Sequence, residues 1–152
     1  MNIYEKGVRK MILEQISVEL ANQPGEMSKV SDLLGEEGIN IRAICASPEN
    51  GKSIVRFVVD QPQKAQEVLK NNGYKIWSEP VLAVVTPDHP GGLNAVLKPL
   101  KEAQINVNYL YPLIGRFQED AVVILGVNDT EKAIEVLRKN YIRILEKDLL
   151  TI

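Results

Sequence analysis

Apolar residues along this chain first alternate with polar ones and then change period. Ile16, Val18 and Leu20 are separated by Gln15, Ser17 and Glu19, the two-residue period of a strand that buries one face. After Pro24 and Gly25, the residues Met27, Val30, Leu33 and Leu34 recur at helical spacing as far as Gly38, and a glycine there suits the left-handed backbone just past a helix end. Residues 39–46 predict a second strand, Asn50 and Gly51 carry a hairpin signal, and residues 53–60 return as a third strand. Pro62 fits a first helical turn, Ala65, Val68 and Leu69 form an apolar face running up to Gly73, and residues 74–77 begin a fourth strand. The predicted unit is βαββαβ.

The same order occurs twice. NQPGEMSKVSDLLGEEGINIRAI, beginning at Asn22, aligns without a gap on DHPGGLNAVLKPLKEAQINVNYL, beginning at Asp88, and a repeat of this length changes every other assignment. Pro24 and Gly25 fall on Pro90 and Gly91, Leu34 on Leu100, Asn40 on Asn106 and Ile41 on Val107. After a two-residue adjustment, AQEVLKNNGYKI from Ala65 aligns with AIEVLRKNYIRI from Ala133. The second copy is expected to have strands at residues 81–86, 105–111, 120–127 and 141–145, with helices at about residues 92–103 and after Asp129. Pro99 inside the first of those helices is expected to kink or weaken it, and Pro80 to interrupt the run between residues 77 and 82.

A βαββαβ order gives a four-stranded antiparallel sheet with two helices on one face, the ferredoxin-like architecture. The fold class expected is therefore α+β, as two tandem ferredoxin-like units at residues 1–78 and 79–152. Each has a small core and unpaired strand edges, so close association of copies, within or between chains, is expected.

Composition narrows the function. A net charge of −2 and 5% aromatic residues supply neither the positive field nor the stacking surface that nucleic acids require. The start of the sequence mixes charges into its apolar residues, and no stretch approaches the roughly 20 apolar residues of a membrane span. A cytoplasmic protein with no membrane contact is expected. One cysteine, Cys45, and one histidine, His89, leave no internal disulfide and little for a metal site or acid–base chemistry. Phosphate-loop, dinucleotide-binding and nucleophile-elbow motifs are absent, so no catalytic residues, metal or cofactor are assigned. Glu36 and Glu37 fit a solvated helix end, and Cys45 a small core position.

The loop after strand one reads NQPGEM in the first copy and DHPGGL in the second, and the entry to strand two reads GIN at residues 38–40 and QIN at residues 104–106. On these residues the chain resembles the ACT family, in which a short Asn/Asp-x-Pro-Gly turn precedes an amphipathic helix and a Gly-x-Asn-Ile-like entry to strand two. Gln104, where the first copy has Gly38, departs from that pattern and puts the second helix end in question. The resemblance covers most of the sequence and implies a non-enzymatic regulatory protein that binds a free amino acid where ACT units meet. It implies ligand contact at Asn22, Pro24, Gly25, Glu26, Met27, Asn40 and Ile41, and in the second copy at Asp88, His89, Pro90, Gly91, Gly92, Leu93, Asn106 and Val107. A homodimer and a metabolic enzyme partner are further implications.

Physical chemistry supports a ligand at this turn, because a helix N-terminus presents backbone N–H groups and favours a carboxylate. Asp88 offers a charge to an ammonium, and Asn22 both donor and acceptor. The same residue types are ordinary turn and cap formers, so both uses stand. His89 has a loop role and a ligand role open to it, and Tyr109 and Tyr111 share one strand face for packing or ligand contact. The alternative function is that of a regulatory subunit acting by protein contact, like that of acetolactate synthase.

Overall fold

The computed structural model describes residues 1–150. In chain order the elements are α1 (Ile3–Met11), β1 (Leu13–Ala21), α2 (Glu26–Glu36), β2 (Ile41–Glu49), β3 (Lys52–Val59), α3 (Pro62–Asn71), β4 (Lys75–Thr86), α4 (Asn94–Glu102), β5 (Val107–Pro112), β6 (Ala121–Val127), α5 (Thr130–Lys139) and α6 (Lys147–Leu150). They form two compact units. Glu14–Glu79 make the first, and Pro80–Leu150 together with Met1–Leu13 make the second.

In the first unit the strands hydrogen-bond in the order β2-β3-β1-β4. Ile16, Val18 and Leu20 of β1 and Val55, Phe57 and Val59 of β3 bury one sheet face under Val30 and Leu34 of α2 and Ala65 and Leu69 of α3. The strand period and the helical period thus meet in one core. In the second unit β4 pairs with β6, and β6 with β5, all antiparallel. Leu82, Val84 and Leu125 face Val96 and Leu100 of α4 and Ala133, Ile134 and Leu137 of α5. Ile144 bridges Val84 on the other side, so both units have the ferredoxin-like strand order 4-1-3-2 expected from the repeat.

All four repeat helices end alike. Gly38, Gly73, Gln104 and Tyr141 each have positive φ, between 58° and 82°. The N–H of each following residue reaches back to a buried leucine carbonyl: Ile39 to Leu34, Tyr74 to Leu69, Ile105 to Leu100 and Ile142 to Leu137, at 2.9–3.1 Å. This is the Schellman reversal, with its apolar contact between the residue after the turn and the last helical turn. Gln104 therefore ends its helix as Gly38 does, although a side chain at positive φ is strained.

Several expectations are corrected. β4 is one continuous strand through Pro80; the proline lies outside the ladder to β6, which begins at Leu82, so that ladder does not need its missing N–H. The expected closing strand at 141–145 is a single bridge, held by Val85 N–H to the Arg143 carbonyl and Leu145 N–H to that of Ala83. β1 buries both faces, Gln15 and Ser17 included, where alternation led to the expectation of one polar, solvent-facing side. α4 starts at Asn94, two residues later than expected, and runs on through Pro99.

Sequence periodicity did not reveal α1. Its start is a capping box, in which Asn2 Oδ1 accepts from Glu5 N–H and Glu5 Oε2 accepts from Asn2 N–H. Val8, Met11 and Ile12 join the core of the second unit. On α5, hydrogen bonding to Lys139 and its charge hold the Glu135 carboxyl below its ordinary value, and the same contact raises the Lys139 ammonium. Both groups are exposed, so this pair contributes little to stability.

Exchanging the residues at the two equivalent helix exits is expected to move stability in opposite directions. Gln104→Gly should raise, and Gly38→Gln lower, the unfolding free energy by about 1 kcal/mol, read from denaturant midpoints at constant slope.

Candidate functional site

The two Pro-Gly turns share an origin and differ in construction. In the first, Gly25 is the N-cap of α2 with φ 89° and supplies no side-chain cap. Lys29 N–H reaches the Gly25 carbonyl at 3.0 Å, and Gln23 N–H that of Ala21 at 2.9 Å. Asn22, Pro24 and Gly25 are exposed, and Glu26 pairs with Lys29 across one turn at 3.1 Å. The N-terminus of α1, by contrast, is capped by Asn2, and that of α5 by Asp129.

In the second turn Gly91 has φ 80°, and Gly92 N–H donates to the His89 carbonyl at 2.8 Å. Gly92 takes the place of Glu26 because a Cβ there would stand 2.1 Å from the Pro87 carbonyl oxygen. His89 Nδ1 lies 2.9 Å from the carbonyl of Pro90, which engages the ring within its own loop. The Asp88 carboxylate is bound by Arg116 Nη2, and Arg116 Nη1 also donates to the Glu119 carbonyl at 3.0 Å. Arg116 thereby ties the Pro-Gly turn to the β5–β6 hairpin. Like the first turn, this one opens into a helix with no side-chain cap.

Beside the second turn lies a cavity of about 400 Å³, bounded by the end of β4, the first turn of α4, the β5–β6 hairpin and the segment that follows α5. Ala95, Val96 and Ile142 make its apolar wall. Asp88, Glu119, Asp120 and Arg143 bring charge to it, and Tyr141, 97% exposed, stands at its mouth. Thr86 lines it too, 9% exposed, with a hydroxyl that has no hydrogen-bond partner. Arg143 approaches Asp120 only to 3.8 Å, with its guanidinium 5.7 Å from the Phe117 ring centre.

The sequence pattern of the ACT domain pair matches residues 11–152. The chain belongs to this family. No curated protein matches the chain. Among solved structures, a protein from Bacteroides thetaiotaomicron is 29% identical with a TM-score of 0.86, over 93% of this chain and 96% of its own. The ligand-free regulatory subunit of aspartate kinase from Thermus thermophilus is 18% identical with a TM-score of 0.64, over 86% of this chain and 94% of its own. Aspartokinase alpha and beta subunits give 20% and 0.61, over 87% and 93%. The last two similarities are of fold.

Within each ACT unit the expected ligand residues fall into two groups that do not meet. Asn22, Pro24, Gly25, Glu26 and Met27 lie where α2 begins, and Asn40 and Ile41 lie beyond its end. Nine further residues of α2, 28–36, separate Met27 from them, roughly 14 Å at 1.5 Å per residue. Asp88 to Leu93 and Asn106 to Val107 are divided by α4 in the same way.

Asn40 and Asn106 have a visible structural task. Asn40 N–H donates to Asp60 Oδ1 at 2.9 Å and Asp60 N–H to the Asn40 carbonyl at 3.1 Å. Asn106 and Asn128 repeat this exchange at 3.0 and 3.2 Å. The exchange pins the start of strand two to the end of strand three, next to a register shift that recurs in both units, at Ile41/Ala43 and Val107/Tyr109. Tyr109 closes over Gly126, where a Cβ would lie 2.2 Å from its ring, and stacks on Tyr111 with ring centres 6.4 Å apart. These contacts favour packing for both tyrosines.

Thr86, Asp120, Tyr141 and Arg143, which line the cavity, and Arg116 at its edge were not singled out by the sequence. For Thr86 and Tyr141 the available signal was their mismatch with the first copy, where they align with Leu20 and Gly73. Among the described residues no helix is long and apolar enough to cross a membrane, and no cluster of three His, Cys, Asp or Glu side chains is placed to hold a metal.

Two substitutions test this construction by denaturant unfolding. Gly92→Ala should cost about 2 kcal/mol, since the carbonyl it meets belongs to the backbone. Thr86→Val, which removes a buried hydroxyl without a partner, should gain about 1 kcal/mol.

Proposed function

We propose that this ACT domain pair is a regulatory protein that binds a free amino acid and performs no catalysis of its own. The observation that carries the reading is the Asx-x-Pro-Gly turn, present twice and each time opening into a helix whose start no side chain caps. Such a start offers a favourable dipole to an α-carboxylate; at α4, though, the N–H groups of Asn94, Ala95 and Val96 already reach the carbonyls of Gly91, Gly92 and Leu93, so the start of α2 is the better donor of N–H groups. Asn22, or Asp88 with its neighbouring carboxylates, supplies acceptors for the ammonium. Pro24, Gly25, Glu26 and Met27, and Pro90, Gly91, Gly92 and Leu93, shape the two turns. Asn40, Ile41, Asn106 and Val107 serve a ligand only if another unit brings a turn to them. Regulation follows if the bound amino acid favours one of two states of the protein. A cytoplasmic homodimer is part of this reading.

A second reading, contact with a biosynthetic enzyme, is favoured by α1. It leaves Ile3 93% and Tyr4 60% exposed while its other face is buried. Exposed apolar side chains on a terminal helix suit a protein partner. The fold shared with a regulatory subunit of aspartate kinase is compatible with it.

A thermal-shift screen against the proteinogenic amino acids decides between the two. A ligand at one hundred times its Kd should stabilise the native state by about 2.7 kcal/mol. The expected result is a dose-dependent shift with one or a few amino acids, lost in Asn22→Ala or in Asp88→Ala according to the turn used. No shift at millimolar concentration would overturn amino-acid binding and leave the partner reading.

A further inference from the structure

We propose that the outer face of α1 docks on the outer face of α2 in a second copy of this chain, the Lys6 and Lys10 ammonium groups of one copy meeting the Asp32 and Glu36 carboxylates of the other. This rests on the homodimer in the reading above and names the surfaces that form it.

Most of α1 precedes residues 11–152, over which the family pattern runs, and a βαββαβ unit is complete without it. Val8, Met11 and Ile12 turn one side of the helix into the core of the second unit. Ile3, Lys6 and Lys10 share the opposite side at helical spacing, all three exposed. The other charges of α1 have tasks inside the chain: Glu5 closes the capping box, and Arg9 lines a cavity with Glu131. Lys6 and Lys10 have no ionic partner among the described residues. Two cations four residues apart on one helix repel each other, and here the repulsion is not offset.

α2 carries the opposite pattern. Asp32 and Glu36 are exposed, four residues apart, and without an ionic partner among the described residues. They repel each other, and Glu36 ends the helix where the dipole favours a cation, yet the last turn holds no basic residue. Neighbouring carboxylates are engaged, Glu26 by Lys29 and Glu37 by Lys64. The other helical carboxylates at a four-residue spacing, Glu131 and Glu135 on α5, are compensated by Lys139 at Glu135.

Each charged pair spans the same step, about 6 Å along its helix. Two helices laid side by side therefore bring both lysines onto both carboxylates at once, whichever way they run. Ser28, Ser31 and Gly35 share the acidic face of α2 and are exposed, and side chains this small let a second helix approach closely. Ile3, 93% exposed, lies in the basic stripe and leaves water on contact. Apolar burial then supplies affinity, and the ion pairs choose the surface and register. A twofold dimer makes this contact twice.

Sedimentation velocity of the full chain, with paired charge reversals, tests the contact. All four charged positions are exposed, so the reversals leave the core untouched. The wild type is expected to be a dimer that weakens with added salt. Lys6→Glu with Lys10→Glu in one chain, or Asp32→Lys with Glu36→Lys in another, should each raise the dissociation constant tenfold or more. An equimolar mixture of the two double variants, and a chain carrying all four reversals, should recover the dimer. A dimer that either double variant leaves intact, or a loss that the mixture or the fourfold reversal fails to restore, would overturn this contact while leaving the homodimer in place. A monomeric wild type would overturn contact and homodimer together and leave the outer face of α1 to the enzyme of the second reading.

Discussion

Each repeat helix must hand the chain back to the sheet within one residue, and the architecture depends on how that is done. A left-handed residue follows every one of the four, and the next N–H returns to a buried leucine carbonyl three positions inside the helix end. The bond satisfies a helical carbonyl that would otherwise be orphaned beside the core. It also places an apolar residue, Ile39, Tyr74, Ile105 or Ile142, against the packed cluster just before the strand or bridge that follows. Without this reversal the following strand could not lie in register beside its neighbours, and the paired bonds of Asn40 with Asp60, or Asn106 with Asn128, would have nothing to pin.

Because the backbone is fixed in this way, side chains at equivalent positions have been free to diverge. The second copy keeps the helix exits but makes them with Gln104 and Tyr141 in place of glycine, accepting local strain. It keeps the Pro-Gly turn but tightens it around Gly92, and it replaces Leu20 by Thr86. Three of these differences, at Thr86, Gly92 and Tyr141, lie in or beside one cavity or turn. Departures from local stability rules gathered in one place are what a functional site looks like. The first copy retains the ordinary solution at each position.

Most of the fold was legible because two independent signals agreed. The alternation at Ile16, Val18 and Leu20, followed by helical spacing to Leu34, defined the first core, and the repeat transferred it to the second. Features that depend on contacts between distant positions were not legible. Pro80 reads as a break until the ladder is seen to start at Leu82. Gln15 and Ser17 read as a solvent face, yet both are buried, which their polarity and alternation do not announce. α1 is short and strongly charged, and only its capping box marks it. Asn40 and Asn106 were visible as paired positions, but their partners Asp60 and Asn128 lie about twenty residues away, a separation at which no local pattern operates.

The cavity is assembled from segments that no continuous element joins: the end of β4, the β5–β6 hairpin and the residues after α5. Backbone bonds join the base of these segments, through Thr86 and Ala121 in the β4–β6 ladder and Val85 N–H to the Arg143 carbonyl, and the outer rim adds the Asp88–Arg116 pair, the loose approach of Arg143 to Asp120 and the stacking of Arg143 near Phe117. Exposed ion pairs of this kind contribute about 0–1 kcal/mol each. A ligand that bridged the Pro-Gly turn and the hairpin would add a term of several kcal/mol at saturating concentration, larger than these ion pairs. The Pro-Gly turn and the hairpin tip are therefore the part of the second unit whose arrangement a small molecule would be best able to decide, while the Schellman exits, the β4–β6 ladder and the Val85–Arg143 bond hold the rest in place. A regulatory protein needs such a division, because a ligand shifts only an equilibrium whose two states it binds unequally.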